Sequence, residues 1–344
     1  MFWSLPVWHK CARRICAAVR RAPGPVKILL KVRNDPIFLA AWHRHHAAIV
    51  GAQNLIIADN MSDDPQTKTL LRTLAKESTV FRFAGFHNRL SDRTVFADLW
   101  HALDESCKWH MALDADERLG WIEDDHCITD ARLVDRLLAT PPHTAAIPAL
   151  LLDNIAGKAD CFAIPQRNSP KLPVLPCALW GKPALAAGKV WPAGMALHNV
   201  QFHPDAFAAG HAPNLIQMHL CNLIPEQRLR ANREKLVARK ICTSQTPFEK
   251  IAAMDLKDEN RSVVERCVQE TRKLLAQLKR GSDQNSGPMP DHVQIGTDGC
   301  MVFSTSEVAD RFNDMMAGAG QILAQRSAMP EGGAWWGKSN KPDS

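Results

Sequence analysis

Tyrosine is missing from this chain altogether, although tryptophan occurs ten times. That absence excludes no fold class. The cysteines are more telling: none of the ten stands in a Cys-x-x-Cys pair (Cys11, Cys16, Cys107, Cys127, Cys161, Cys177, Cys221, Cys242, Cys267 and Cys300). The usual spacing of zinc ribbons and thiol redox motifs is therefore lacking. Scattered cysteines in a chain of this length read as reduced, buried residues of a cytosolic protein. No apolar run approaches the roughly 20 residues of a membrane-crossing helix. No internal repeat is present. Excess charge is small too, +6 over 344 residues. It suits an anionic ligand or a membrane surface, and no nucleic-acid partner is expected.

What is present is ordinary for a globular protein, with 46% hydrophobic and 23% charged residues. The length suits one large α/β domain with an appendage, or two domains. Residues 1–25 form a basic segment, with Trp3, Leu5, Val7 and Trp8 followed by Lys10, Arg13, Arg14, Arg20 and Arg21. It lacks the apolar core of a signal peptide. Two readings are open: a basic amphipathic helix lying on an anionic membrane, or a tail or helix docked on the domain.

Val26 to Val32 is nearly all apolar and predicts a first buried parallel strand. Arg33-Asn34-Asp35-Pro36 ends it, with Pro36 suited to a first helical turn. Ile37 to Val50 then predicts a helix closed by Gly51. Strands are expected at 54–58, 79–84, 109–113 and 144–152, and helices at 67–76, 92–107 and 130–139. Alternating strands and helices predict a mostly parallel, Rossmann-like sheet flanked by helices. The dinucleotide-binding version is disfavoured, because no Gly-x-Gly-x-x-Gly follows the first strand. Residues 157–213 read as irregular strands and loops. Helices at 226–240 and 260–279 form a helical C-terminal extension. A linker is expected at 281–290 and one last helix within 302–329. These readings divide the chain at 1–25, 26–220, 221–280 and 281–344.

The chemistry concentrates at Asp114-Ala115-Asp116-Glu117, directly after the apolar run Trp109 to Leu113. In extended chain, residues two apart project together, so Asp114 and Asp116 converge. Converging carboxylates need a cation between them, and oxygen-only ligation suits Mg²⁺ or Mn²⁺. The carboxyl edge of a sheet is where α/β proteins bind ligands. The pattern therefore reads as a metal–diphosphate clamp, with an acidic turn as the bland alternative. His43 and His46 also share a helix face, but zinc would need another ligand.

Four pieces then resemble, in order, the GT-A glycosyltransferases of the family-2-like branch. Arg33-Asn34-Asp35 resembles that branch's Arg-Asn-Glu, and Trp42 to His46 its Trp-x-x-x-His. Asp59-Asn60-Met61-Ser62-Asp63-Asp64 resembles its Asp-Asn-x-Ser-x-Asp, and Asp114-Ala115-Asp116-Glu117 its Asp-x-Asp-Glu. The match covers roughly residues 26 to 120. Beyond it, the segment 171–180, His198 and His219 followed by a basic helix match loosely. Arg118 stands where the family often has an aromatic residue.

The resemblance implies a GT-A fold and a nucleotide-sugar donor bound by Arg33, Asn34, Asp35, Asp59, Asn60 and Asp114. It implies a Mn²⁺ or Mg²⁺ ion on Asp116, with Asp114 reaching it through water or touching the ribose, and His219 completing the shell or touching phosphate. The general base is assigned to Asp153 at a strand end, with Asp205 as the alternative. The function expected is transfer of a sugar to a glycan or lipid-linked acceptor in cell-surface polysaccharide synthesis. The location expected is cytoplasmic, peripheral to the inner face of the membrane. Two alternatives stand beside it. A nucleotidyltransferase would want a Gly-rich basic loop after the first strand. A catalytically inactive GT-A-like scaffold would not need both aspartates.

Overall fold

The computed structural model describes residues 4–85, 87–92, 94–123, 126–142, 144, 146–147, 149–154, 162–163, 181–189, 191–192, 200–201, 214–220, 225–237, 239–254, 262–280, 293–295 and 301–303. The chain runs α1 (Trp8–Arg21), β1 (Val26–Val32), α2 (Phe38–Val50), β2 (Leu55–Asp59), α3 (Pro65–Leu74), β3 (Thr79–Arg82), α4 (Ala97–Ser106) and β4 (Trp109–Leu113). It continues with β5 (Glu117–Glu123), β6 (His126–Ile128), α5 (Arg132–Leu138), β7 (Ala146–Ile147), β8 (Leu150–Asn154), β9 (Phe162–Ala163) and β10 (Ala184–Ala186). Then follow β11 (Trp191–Pro192), β12 (Val200–Gln201), β13 (Leu215–His219), α6 (Pro225–Val237), α7 (Phe248–Ala252), α8 (Ser262–Arg280), β14 (Val293–Ile295) and β15 (Met301–Phe303).

The central sheet has the order β3-β2-β1-β4-β10-β7. Its first four strands are parallel, and β10 runs antiparallel to both its neighbours. β1 shows why the sheet is buried on both faces. Pleated backbone sends alternate side chains to opposite sides. Val26, Ile28, Leu30 and Val32 join the cluster formed with Leu39 and Trp42 of α2 and Leu71 of α3. Leu29 joins the opposite cluster with Ile15 and Val19 of α1 and Leu99 and Trp100 of α4. The same parity divides Leu55 and Ile57 from Ile56 and Ala58 on β2. The architecture is α/β, a mostly parallel sheet between two helical layers, in keeping with a GT-A-like Rossmann fold.

Helix boundaries follow local chemistry. Asp64 caps α3 by accepting from Thr67 N–H at 2.6 Å, with Pro65 in its first turn. Gly51 closes α2 at φ 82°, a left-handed backbone that glycine adopts without a Cβ penalty.

After β4 the chain turns at residues 114–116 and leaves the central sheet for a second one, ordered β14-β15-β6-β5-β13-β8-β9. The predicted strand at 144–152 is not one strand. It splits into β7, paired with β10 in the central sheet, and β8, paired with β13 in the second. An unbroken apolar run signals burial but says nothing about which sheet buries it. The C-terminal helices α6, α7 and α8 gather a small core of Leu236, Ile251, Val264, Cys267 and Val268. The linker expected at 281–290 lies outside the described residues. So does the last helix expected within 302–329, apart from 302–303, which belong to β15.

Helix α1 is docked on the domain, the second of its two readings. Its apolar face, Ile15, Cys16 and Val19, is buried against the sheet. Pro6 O accepts from Arg82 N–H at 2.8 Å, extending the contact to β3. Lys27, wholly buried on β1, donates from Nζ to Val19 O at 2.7 Å and to Ser106 O and Oγ at 2.8 and 2.7 Å. A buried ammonium needs such acceptors, so Lys27 binds α1 and α4 to the sheet. Among the described residues, no helix is long and apolar enough to cross a membrane. Cys11, Cys16, Cys107, Cys242 and Cys267 are free thiols.

Candidate functional site

The carboxyl ends of β1 and β2 are laced together. Asn60 N–H donates to Val32 O at 2.8 Å. Asn34 sits at φ 48°, a left-handed position that asparagine tolerates. Its Oδ1 accepts from the N–H groups of Asp63 and Asp64 at 3.0 and 3.1 Å, and its Nδ2 donates to Asp63 Oδ1 at 2.5 Å. Asp59 is closed to solvent at 0% exposure. Its two carboxylate oxygens accept from Ser62 N–H and from Arg82 Nε, both at 2.9 Å. Asp59 and Asn34 thus shape the loop that follows β2, while Arg33 is exposed beside them.

The carboxylate cluster lies where β4 ends, beside these loops. Glu117 N–H donates to Asp114 O at 3.1 Å, which makes residues 114–117 a tight turn. Asp114 N–H in turn donates to Glu117 Oε2 at 2.7 Å. Lys182, 3% exposed in its side chain, donates to Asp114 Oδ2 at 2.5 Å and to Glu117 Oε2 at 2.8 Å. Lys31 Nζ stands 3.5 Å from Asp114 Oδ1. Burial alone would depress the Lys182 pKa, but Asp114 and Glu117 raise it above the ordinary lysine value. Lys182 is held in place from behind: its N–H donates to Gln217 Oε1 at 2.6 Å. Gly181 beside it packs so close that a Cβ would meet Ala149 O at 2.3 Å.

Asp116 faces the other way. Its Oδ2 lies 3.3 Å from His219 Nε2, at the end of β13, and its carbonyl accepts from Leu220 N–H at 2.7 Å. Burial raises the Asp116 pKa, yet the charge and N–H of His219 outweigh it and hold the carboxyl down to about 2. Asp35 accepts from Phe38 N–H at 3.0 Å, so it caps α2. Burial and then the nearby Asp116 charge raise its pKa, against the opposing pull of Phe38 N–H and Arg118. Arg118 is buried and ties the turn to α2, donating to Ala115 O at 2.8 Å, Glu117 O at 2.9 Å and Phe38 O at 3.2 Å. Burial brings its pKa down to about 10 despite Asp116, Asp35 and Glu117. Arg118 is therefore a structural guanidinium.

The structure thus brings Asp35, Asp114, Asp116 and His219 to one edge. Asp153, the penultimate residue of β8, is in register with His219 of β13, on that same edge. Asp205, His198 and residues 171–180 lie outside the described residues. The α2 histidines diverge: His43 Nε2 meets Ser78 Oγ at 2.8 Å, His45 Nε2 meets Leu119 O at 2.7 Å and His46 Nδ1 meets Trp42 O at 2.9 Å. They serve packing. Lys182 and Lys31 are site residues that sequence reading missed. Lys31 shows as a charge inside an apolar strand, whereas Lys182 carries no local signal.

The donor set tests whether a divalent cation fits. Asp116 Oδ2 and His219 Nε2, 3.3 Å apart, are spaced as two ligands of one small ion. Asp114 instead spends its carboxylate on two lysines. Among the described residues, no three His, Cys, Asp or Glu side chains are grouped to hold a metal. The residues present fit an ion only with His219 neutral and its N–H surrendered, the remaining positions being taken by a diphosphate and water.

No family model matches the chain, and no curated protein matches it. Among solved structures it is similar to a cytidylyltransferase from Leptospira borgpetersenii serovar Hardjo-bovis, at 16% identity and a TM-score of 0.24, over 40% of this chain and 56% of that one. The chain therefore spans little more than half of the cytidylyltransferase's length. It is also similar to residues 1–349 of S. aureus TarS, at 11% identity and a TM-score of 0.32, over 74% of this chain and 72% of that one.

Proposed function

We propose that this chain is a metal-dependent glycosyltransferase that moves a sugar from a nucleotide-sugar donor to a glycan or lipid-linked acceptor, in cell-surface polysaccharide synthesis. One observation carries the reading. The turn at residues 114–117 sits at the carboxyl edge of the parallel sheet, with Asp116 beside His219 and with lysines fixed on Asp114.

Asp116 and His219 would hold Mn²⁺ or Mg²⁺, which supplies Lewis-acid stabilisation of a nucleoside-diphosphate leaving group. Lys182 and Lys31 add fixed positive charge at the same turn, where negative charge develops. Asn34, Asp59 and Asn60 hold the loop that borders the nucleoside, with Arg33 and Asp35 at its rim. Asp153 takes the proton from the acceptor hydroxyl. The expected acceptor face lies towards β8 and β13.

Purified wild type and Asp116→Asn, incubated with a panel of nucleotide-sugars and Mn²⁺, test this reading. Wild type should release a nucleoside diphosphate from one donor. Asp116→Asn should do so about 10²–10³-fold more slowly, the usual cost of losing one well-placed electrostatic stabiliser. Release of pyrophosphate from a sugar phosphate and a nucleoside triphosphate would point to nucleotidyl transfer instead. Equal rates for both proteins would remove Asp116 from the chemistry.

A further inference from the structure

Far from the carboxylate edge, at the amino-terminal end of β3, lies a half-open cleft of about 540 Å³. Its walls are Arg14, Ala18 and Arg21 of α1 on one side and Ser78, Thr79 and Val80 on the other. Pro6, Ile15 and Ala75 make the rest of it apolar, with Ser4 at the edge. Residues 14, 18 and 21 recur at the i, i+4, i+7 spacing of one helical stripe. The Cα atoms of Arg14 and Arg21 therefore stand about 10 Å apart along the helix axis, within reach of two long side chains converging over the cleft. Among the described residues, no carboxylate lines it. Arg20, on the neighbouring stripe, is engaged by Glu105 of α4 at 2.6 Å, whereas neither Arg14 nor Arg21 meets an acidic partner among the described residues. Ser78 is already committed, donating from Oγ to Ala52 O at 2.8 Å and meeting His43, while Thr79 and Ser4 also line the cleft. The size falls within the range of small-molecule sites.

We propose that this cleft is a second binding site, for an organic phosphate. Arg14 and Arg21 grip the phosphate through charge-assisted hydrogen bonds, for which paired guanidiniums are suited. The organic part rests on Pro6 and Ala75. The ligand is either a free phosphorylated metabolite or the headgroup of an anionic lipid.

Full-length protein in EDTA, which removes any metal bound at the carboxylate edge, separates the two sources. One arm titrates glycerol 3-phosphate by calorimetry. The other measures co-sedimentation with phosphatidylcholine vesicles with and without phosphatidic acid. Wild type should bind one probe, glycerol 3-phosphate alone for a metabolite, the acidic vesicles for a lipid. Arg14→Gln/Arg21→Gln should bind it at least tenfold more weakly while melting at the wild-type temperature. Arg13→Gln/Arg20→Gln, with the same charge change on the neighbouring stripe, should bind like wild type. Binding of neither probe overturns the proposal. So does equal weakening by the two double variants, which would mean diffuse charge rather than a site, or undiminished binding by Arg14→Gln/Arg21→Gln.

Discussion

Lys182 is the residue on which the acidic turn depends. Two carboxylates and an ammonium share a space that is almost dry at Glu117 and Lys182, each with 3% of its side chain exposed. Removing one member of such a set leaves charge uncompensated, which typically costs roughly 3–5 kcal/mol. Lys182→Met should therefore lower the melting temperature sharply in urea-free buffer. Adding Glu117→Gln to it should restore part of the loss, because the buried negative charge goes as well. Calorimetric melting of wild type, the single variant and the double variant checks this. A single variant that melts like wild type would show that Asp114 and Glu117 need no internal cation. Little of this was legible beforehand. Asp114 and Glu117 stand out as neighbours in sequence, but their partner lies 68 and 65 residues further on, in a stretch of weak periodicity. His219 was reached through its place before a basic helix, and its contact with Asp116 follows from the antiparallel register of β13 on β5.

Elements were more legible than their partners. β1 was read with its observed ends because burial on both faces leaves a continuous apolar run, broken by residues 33–36. The run at 144–152 looks the same, yet its halves belong to different sheets, since pairing partners are a tertiary choice. Helix α1 illustrates the converse. Its amphipathic pattern is plain in sequence, but whether the apolar side meets lipid or protein is decided by Phe81, Phe96 and Trp100, which wait for it. Deleting residues 1–22 should consequently unfold the protein rather than free a tail. It strips Ile15, Cys16 and Val19 from their cluster, on the order of 5 kcal/mol of burial at 1.5–3 kcal/mol per large side chain. It also removes the Val19 carbonyl from Lys27 Nζ. Urea denaturation of the truncated chain should show no cooperative transition, or a midpoint far below wild type. A truncated chain of wild-type stability would mean that α1 is an ornament.

For the molecule as a whole, the α2 histidines set a pH limit. Burial lowers the pKa of His43, His45 and His46, and that of His45 falls from 6.5 to about 4. A base that is harder to protonate folded than unfolded contributes stability in full above its unfolded pKa. That contribution is lost as pH falls from 6.5 towards the folded value. Stability should therefore decline from pH 7 to pH 5. His45→Gln, whose amide can still donate to Leu119 O, should lose about 2 kcal/mol less over that interval, at about 1.4 kcal/mol per pH unit below 6.5. Paired urea melts at the two pH values measure it, and identical losses would rule His45 out as a contributor.

The turn at 114–117 is the corner at which the chain passes from the central sheet into the second, and its buried cation arrives from residue 182. At a synthesis rate of about 5–20 residues per second, Glu117 is made several seconds before Lys182. Sealing an unpaired carboxylate meanwhile would cost several kcal/mol. The β1–β4 half can close early from near neighbours in sequence, whereas β5 must stay in water until Lys182, and then β13, emerge. Assembly of the acidic edge is therefore the last act of the nascent chain's first 220 residues, and a ribosome stalled before residue 182 should carry a formed parallel sheet with an open corner.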